Sequence, residues 1–181
     1  MVKVMRIRGE ETIGEKVAIA KRLYARWGEE LAKDPQIAAR IGELGARIKD
    51  SSALSLSSGV SGECRICEEE DGGSCCGAGI ENRYTPELLL LNLLLGTVLP
   101  ESRKCPRSCY FLGECGCLLK AREILCINYL CSKLQKTIPN EKLLRLQEAN
   151  GVEMDLIFLL QERILAFLRQ KDTQRSHSSV S

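Results

Sequence analysis

Ten cysteines and one histidine define the chemistry open to this 181-residue chain. The cysteines are Cys64, Cys67, Cys75, Cys76, Cys105, Cys109, Cys115, Cys117, Cys126 and Cys131, all within 68 consecutive positions. The histidine, His177, lies in a polar C-terminal stretch. Ser-His-Asp, Cys-His and histidine–metal arrangements therefore lack a residue to build on in the folded part, which leaves sulfur chemistry. Cys64-Arg-Ile-Cys67 has the spacing of a metal knuckle, in which two thiolates reach one ion at about 2.3 Å. Adjacent Cys75 and Cys76 tend to point apart, so one of the pair is expected to serve a second site, a bridge or packing. Gly72, Gly73, Gly77 and Gly79 let the backbone wrap closely there and offer N–H groups to sulfur.

Energetics point the same way. A segment of under about 70 residues with few large apolar groups outside one leucine run has little core of its own, and units of that size usually need a staple. A thiolate-bound zinc contributes roughly 10–16 kcal/mol of apparent binding free energy. Four thiolates on Zn²⁺ or on a [4Fe–4S]²⁺ cluster leave a net negative charge. Arg103, Lys104, Arg107, Lys120, Arg122, Lys133 and Lys136 outnumber Glu101, Glu114 and Glu123 in the second half of the segment and supply counter-charge. In the first half Glu63, Glu68, Glu69, Glu70 and Asp71 face only Arg65. Zinc and iron–sulfur both stay open. The C-x2-C-x2-C-x3-C run of bacterial ferredoxins is absent, and only one tidy C-x2-C knuckle exists for zinc. Ten thiols fill one site with packing cysteines, or two four-thiolate sites with two left over. Free buried thiols and disulfides are the competing readings.

At these residues the chain resembles the YkgJ-type cysteine-cluster proteins, a family of zinc- or iron-chelating domains. The residues that carry the resemblance are Cys64-x2-Cys67, Cys75-Cys76, Cys109-Tyr-Phe-Leu-Gly-Glu-Cys115-Gly-Cys117 and Arg122-x3-Cys126. The family pattern differs in a shorter gap before the paired cysteines, a proline where Glu123 follows Arg122, and Ile-Tyr near Leu118-Leu119. The resemblance implies metal chelation over about residues 64–131. With it, the expected metal ligands are Cys64, Cys67, Cys75, Cys76, Cys109, Cys117, Cys126 and Cys131, holding Zn²⁺ or an iron–sulfur cluster.

The elements that must position these residues read as helices. Ile13, Val17, Ala20, Tyr24, Trp27 and Leu31 form one apolar stripe, and Ile37, Ile41, Leu44 and Ile48 continue it after Asp34-Pro35. Residues 1–50 are thus expected to form a helical hairpin, and the small polar residues 51–62 a linker. The cysteine unit spans 63–136, and within it Thr85-Pro86-Glu87 starts a helix over Leu88–Leu95. Helices follow over 137–170, with a turn at Asn150-Gly151, and residues 171–181 are expected to be a disordered tail. Few strands are expected. The fold class is mainly α, a hairpin and C-terminal helices packed around a small irregular cysteine-rich metal-binding unit.

Function classes narrow accordingly. Twenty-six basic against twenty-four acidic residues give +2, which indicates neither nucleic acid nor an anionic membrane as partner. The longest greasy run is too short for a bilayer, and the first thirty residues lack a signal-peptide apolar stretch. A cytoplasmic location follows, where thiols stay reduced and read as metal ligands before disulfides. The leading expectation is a non-catalytic metal-binding protein with its amphipathic helices as a protein-partner surface. An iron–sulfur redox or sensor protein is the alternative, and a transferase with a cysteine-cluster domain the third. A related cluster occurs in flagellin lysine methylases, but no glycine-rich strand-to-helix motif argues for a methyl-donor site here. The acids Glu68, Glu69, Glu70 and Asp71 read as a solvated loop.

Overall fold

Thr12 opens the first helix with a reciprocal cap. Its hydroxyl accepts from the Glu15 N–H at 3.3 Å, and the Glu15 carboxylate accepts the Thr12 N–H at 2.7 Å. The computed structural model describes residues 11–70 and 75–178, with side chains to 174, and the fold is mainly α. Helix α1 runs over Ile13–Lys33 and α2 over Pro35–Ser58. Asp34 lies between them and caps α2 by accepting from the Gln36 and Ile37 N–H groups, with Pro35 at the first helical position.

The segment expected to be a linker is helical. α2 runs through Ser51–Ser58 because its serines satisfy themselves inside the helix. Ser51, Ser57 and Ser58 hydroxyls donate back to the carbonyls of Ile48, Leu54 and Ser55. Ser51 and Ser58 are also buried. The chain breaks only at Gly59, whose φ of 92° suits a residue without a side chain. Helix α3, Val60–Glu69, follows at once and carries both cysteines of the C-x2-C.

Thr85 caps α4, Pro86–Leu94, as the Thr-Pro-Glu start predicts, and Gly96 at φ 76° follows its end. Leu88 through Leu91 are all buried, and α4 packs on α1 and α7. A two-strand antiparallel hairpin, β1 Leu112–Gly113 and β2 Gly116–Cys117, precedes the short helices α5, Ile124–Asn128, and α6, Ser132–Thr137. Helix α7 then runs unbroken over Asn140–Ser178, about 58 Å at 1.5 Å per residue. The expected turn at Asn150-Gly151 does not form, because the buried Asn150 amide donates sideways to the Ile127 carbonyl at 2.8 Å and leaves the helix intact. Residues 171–178 are likewise helical rather than a loose tail. Lys171 pairs with Glu30 at 2.5 Å and lies 5.2 Å from the Trp27 and Phe167 rings. Residues 179–181 of the expected tail lie outside the described residues.

α2 lies along α7, and α1 along α4. One apolar core joins all four helices and takes in Tyr84, Cys109, Phe111, Leu119 and Ile127 from the cysteine-bearing segment. That segment therefore shares the core of the helices instead of standing apart with little interior. The expectation underrated what its scattered aromatics and leucines contribute once helices are packed behind them. A smaller apolar cluster of Val60, Leu134, Ile138, Leu143 and Leu146 ties α3 and α6 to the start of α7. No helix among the described residues is long and apolar enough to cross a membrane.

Candidate metal centre

The cysteines sit on six short pieces of chain held together by specific tethers. Cys64 and Cys67, one helical turn apart, share a face of α3. Two contacts pin that helix: the Ser108 hydroxyl donates to Glu68 at 2.6 Å, and Lys133 of α6 lies 3.7 Å from Glu63. Cys75 and Cys76 lie on the loop ahead of Gly77, which bridges to Ser108 in antiparallel fashion. The Cys109 N–H donates to the Cys76 carbonyl at 2.5 Å, and the Ala78 N–H to the Arg107 carbonyl at 2.8 Å.

Glu81 locks the same two loops from behind. Its buried carboxylate pairs with Arg103, whose guanidinium also donates to the Ser108 carbonyl. Burial pulls the Glu81 carboxyl up. Its own backbone N–H, Arg103 and the Gly79 N–H outweigh that and hold it below the ordinary range. Gly79, at φ 107°, thus spends its N–H on Glu81 and not on a sulfur. Gly72, Gly73 and Asp71 lie outside the described residues. Cys117 ends the hairpin, Cys126 is on α5, and Cys131 occupies the N-cap position of α6.

These tethers hold five of the ten cysteines around one opening. An open cavity of about 460 Å³ is lined by Cys64, Cys67, Cys75, Cys126 and Cys131, with Glu63 and Lys133 at its wall. Burial pushes the Cys64 thiol up to about 11, with Cys75, Cys131 and Cys67 as the charged-form neighbours that add to it. The Cys76 thiol donates to the Cys75 sulfur, which lowers Cys75 and raises Cys76. Beyond Cys75, the neighbours of Cys76 are Cys117 and Cys126.

Those two sulfurs meet Tyr84. Its buried hydroxyl accepts from the Glu123 N–H at 3.2 Å, donates to the Cys126 sulfur at 3.9 Å and has Cys117 as a neighbour. Cys109, buried, accepts the Phe111 N–H at 3.5 Å and neighbours Cys117 and Cys126. Burial raises the Cys109 thiol to about 11 and also raises Cys126. Cys117 is exposed at its rim, yet the protein packed around its sulfur raises it too, against the Leu119 N–H and the nearby Arg122.

Of the eight residues expected as ligands, Cys64, Cys67, Cys75, Cys126 and Cys131 line the cavity, while Cys76, Cys109 and Cys117 lie off it, as neighbours of Cys126. Cys105 and Cys115 are exposed, and Cys105 turns instead to Ser108, whose hydroxyl lowers its thiol. Among the described residues no disulfide is formed, and no three Cys, His, Asp or Glu side chains are drawn together as one ion would hold them. The donor chemistry fits a thiolate-bound inorganic centre: sulfur ligands, N–H groups aimed at Cys109 and Cys117, and Arg122 near Cys117 and Cys126. Sequence reasoning missed Tyr84 and Glu81 and read Arg103 only as counter-charge, whereas all three hold the sulfur-bearing loops. None of them stands in a periodic pattern. Their one signal was position, each within eight residues of a cysteine on an otherwise irregular stretch.

Comparison with known proteins yields no match: no protein family, curated protein or solved structure is similar to the chain. The likeness to YkgJ-type proteins stands on the cysteine spacing alone.

Proposed function

We propose that this protein binds a metal centre through thiolates in the cysteine-lined cavity and that its role is binding and not catalysis. One observation carries the reading: Cys64, Cys67, Cys75, Cys126 and Cys131 come from three separate helices and a loop, yet line a single cavity. Five thiols on one wall, with Cys64 and Cys126 raised by burial, are a poor arrangement for a metal-free protein and a ready one for a soft cation.

The spread of the sulfurs favours an iron–sulfur cluster over a single zinc ion. Four thiolates at 2.3 Å from one zinc sit about 3.8 Å from each other and leave no cavity between them. Here five sulfurs line about 460 Å³, more room than one ion fills, which suits a polynuclear core. A reducing, cytoplasmic setting agrees with free thiols throughout. Exposed Val152, Phe158 and Leu159 on α7 are the residues through which a protein partner would dock.

Anaerobic purification followed by iron, acid-labile sulfide and zinc analysis tests this. A broad visible absorption band with stoichiometric iron and sulfide is expected. Cys67→Ser and Cys126→Ser should each lower that content, while Cys115→Ser leaves it unchanged. A colourless protein with stoichiometric zinc would replace the cluster by an ion. Protein free of both, or unchanged content in both ligand variants, would overturn the assignment.

A further inference from the structure

Helix α7 packs one face on α2, α4 and α5 and leaves the opposite face bare. Phe158 is 60% exposed, Val152 45% and Leu159 43%, while Leu156, Ile157 and Leu160 beside them are buried. Large apolar side chains left open on a helix whose other face is fully packed form a surface that something covers. Charge on the same face says what. Glu141, Glu148, Asp155 and Glu162 recur every seven residues, which keeps them in one line along the helix. Arg145 pairs with Glu141 at 2.9 Å. The other three are exposed and form no ion pair or side-chain hydrogen bond among the described residues. Each lies within one turn of Val152, Phe158 or Leu159.

An occupant of this face must therefore be apolar and cationic together, with its positive charges spread along the line of acids. A second α7 does not qualify, because it would set acid against acid. Residues 1–8 do: Lys3, Arg6 and Arg8 are interleaved with Val2, Val4, Met5 and Ile7, and no acid precedes Glu10. Residues 1–10 lie outside the described residues. Lengths agree as well. Glu148 and Glu162 are about 21 Å apart along the helix at 1.5 Å per residue. The chain from Lys3 to Arg8 extends to at most about 18 Å, and their side chains reach further. The segment leads into α1, which packs on α4, and Lys16 in the first turns of α1 donates to the Asn82 carbonyl at 2.6 Å. α7 turns its acidic face away from α4 and α2, so the body of the protein lies between that face and the start of α1.

We infer that residues 2–8 of one copy of this chain dock on the Val152, Phe158 and Leu159 face of α7 in a second copy. Lys3, Arg6 and Arg8 then lie against Glu148, Asp155 and Glu162, and the aliphatic side chains between them cover the exposed apolar ones. The inference rests on the reading of this face as a protein-docking surface and names its partner. It uses none of the cysteines, so it stands or falls separately from metal binding.

Analytical ultracentrifugation of the full-length protein over a concentration series tests it, with metal content and circular dichroism read on the same samples. Wild type should self-associate, and the association should weaken as salt is raised. One triple variant carries Lys3→Glu, Arg6→Glu and Arg8→Glu; the other carries Glu148→Lys, Asp155→Lys and Glu162→Lys. Each turns three exposed attractions into repulsions and should raise the dissociation constant at least about tenfold. All six substitutions in one chain should restore association, which neither misfolding nor a change in net charge would do. Phe158→Ser should weaken association with the charges untouched. A monomer at every concentration, association indifferent to both triple variants, or no recovery in the six-fold variant would overturn the inference. Wild type that associates as expected but holds no metal would overturn the metal-binding function and leave this one standing.

Discussion

Glu153 is a carboxyl group where ionisation costs stability. It is fully buried on α7 against α2; one oxygen accepts from the Ser51 hydroxyl, and the other has no hydrogen-bond partner. Burial raises it above the usual 4.5, more than Ser51 and the more distant Arg122 lower it. The folded state therefore holds this proton more tightly than the unfolded chain. Its contribution is complete below 4.5 and is lost as pH rises through the folded value, so stability falls across that window. Glu153→Gln should remove that slope and raise the melting temperature at pH 7, measured as melting temperature against pH for both proteins. Parallel curves would show that the carboxyl is already ionised at no cost. The sequence marked none of this, because a glutamate on a helix looks the same whether it faces water or another helix. Cysteines were easier to read: their types and spacing announced a sulfur site, while the residues that aim them, Tyr84 above all, carry no pattern of their own.

Element by element, capped helix starts and the ends at Asp34-Pro35 and Gly96 were legible, while the serine-rich stretch and the start of α3 were not. Thr12, Asp34 and Thr85 cap helices as their side chains predict, and the stripes over α1 and α2 place Val17, Ala20, Leu31, Ile37 and Leu44 in the core. The serine-rich stretch and Asn150-Gly151 misled because composition weighs a residue's local preference and not its tertiary partner. Asn92 shows the same point from the other side. In the greasy run it looks like an interruption, but its fully buried amide donates to the Leu88 and Ala121 carbonyls at 2.9 and 2.8 Å and accepts from the Lys120 and Ala121 N–H groups at 2.9 and 3.0 Å. It therefore splices α4 to the strand of chain that leads through Arg122 to Cys126. Asn92→Ala strands two backbone donors, one of them on buried Ala121, and should cost about 3 kcal/mol in denaturant unfolding. Asn92→Leu, which fits the leucine run better by hydrophobicity, should fare no better. A loss under about 1 kcal/mol would mean water replaces the amide.

At the scale of the molecule, the cysteine-bearing segment is fastened to a helical frame that does not need it to be helical. α1, α2, α4 and α7 share one apolar core, to which the rest of the segment adds Tyr84, Leu99, Cys109, Tyr110, Phe111, Leu119, Ala121 and Ile127. The cavity wall is different. α3, α5 and α6 hold 10, 5 and 6 residues; α3 and α6 rest on a five-residue buried cluster and on partly exposed polar tethers such as Ser108–Glu68 and Lys133–Glu63, and α5 joins the main core only through Ile127, whose carbonyl accepts from Asn150. Helices so short are marginal without packing or a ligand to hold them. Removing the proposed metal anaerobically with a chelator should therefore loosen one side of the molecule only. Amide hydrogen exchange should rise over α3, the 75–78 loop, α5 and α6, and stay slow in α2, α4 and the middle of α7, where opening requires the shared core to come apart. Far-ultraviolet dichroism should fall by no more than about a fifth, because α7 and α2 alone supply 39 and 24 helical residues. Complete unfolding on metal removal would mean that the inorganic centre, and not the leucine core, holds the frame together. Exchange unchanged everywhere would mean that the tethers suffice and the cysteines are free to give up their metal without structural consequence.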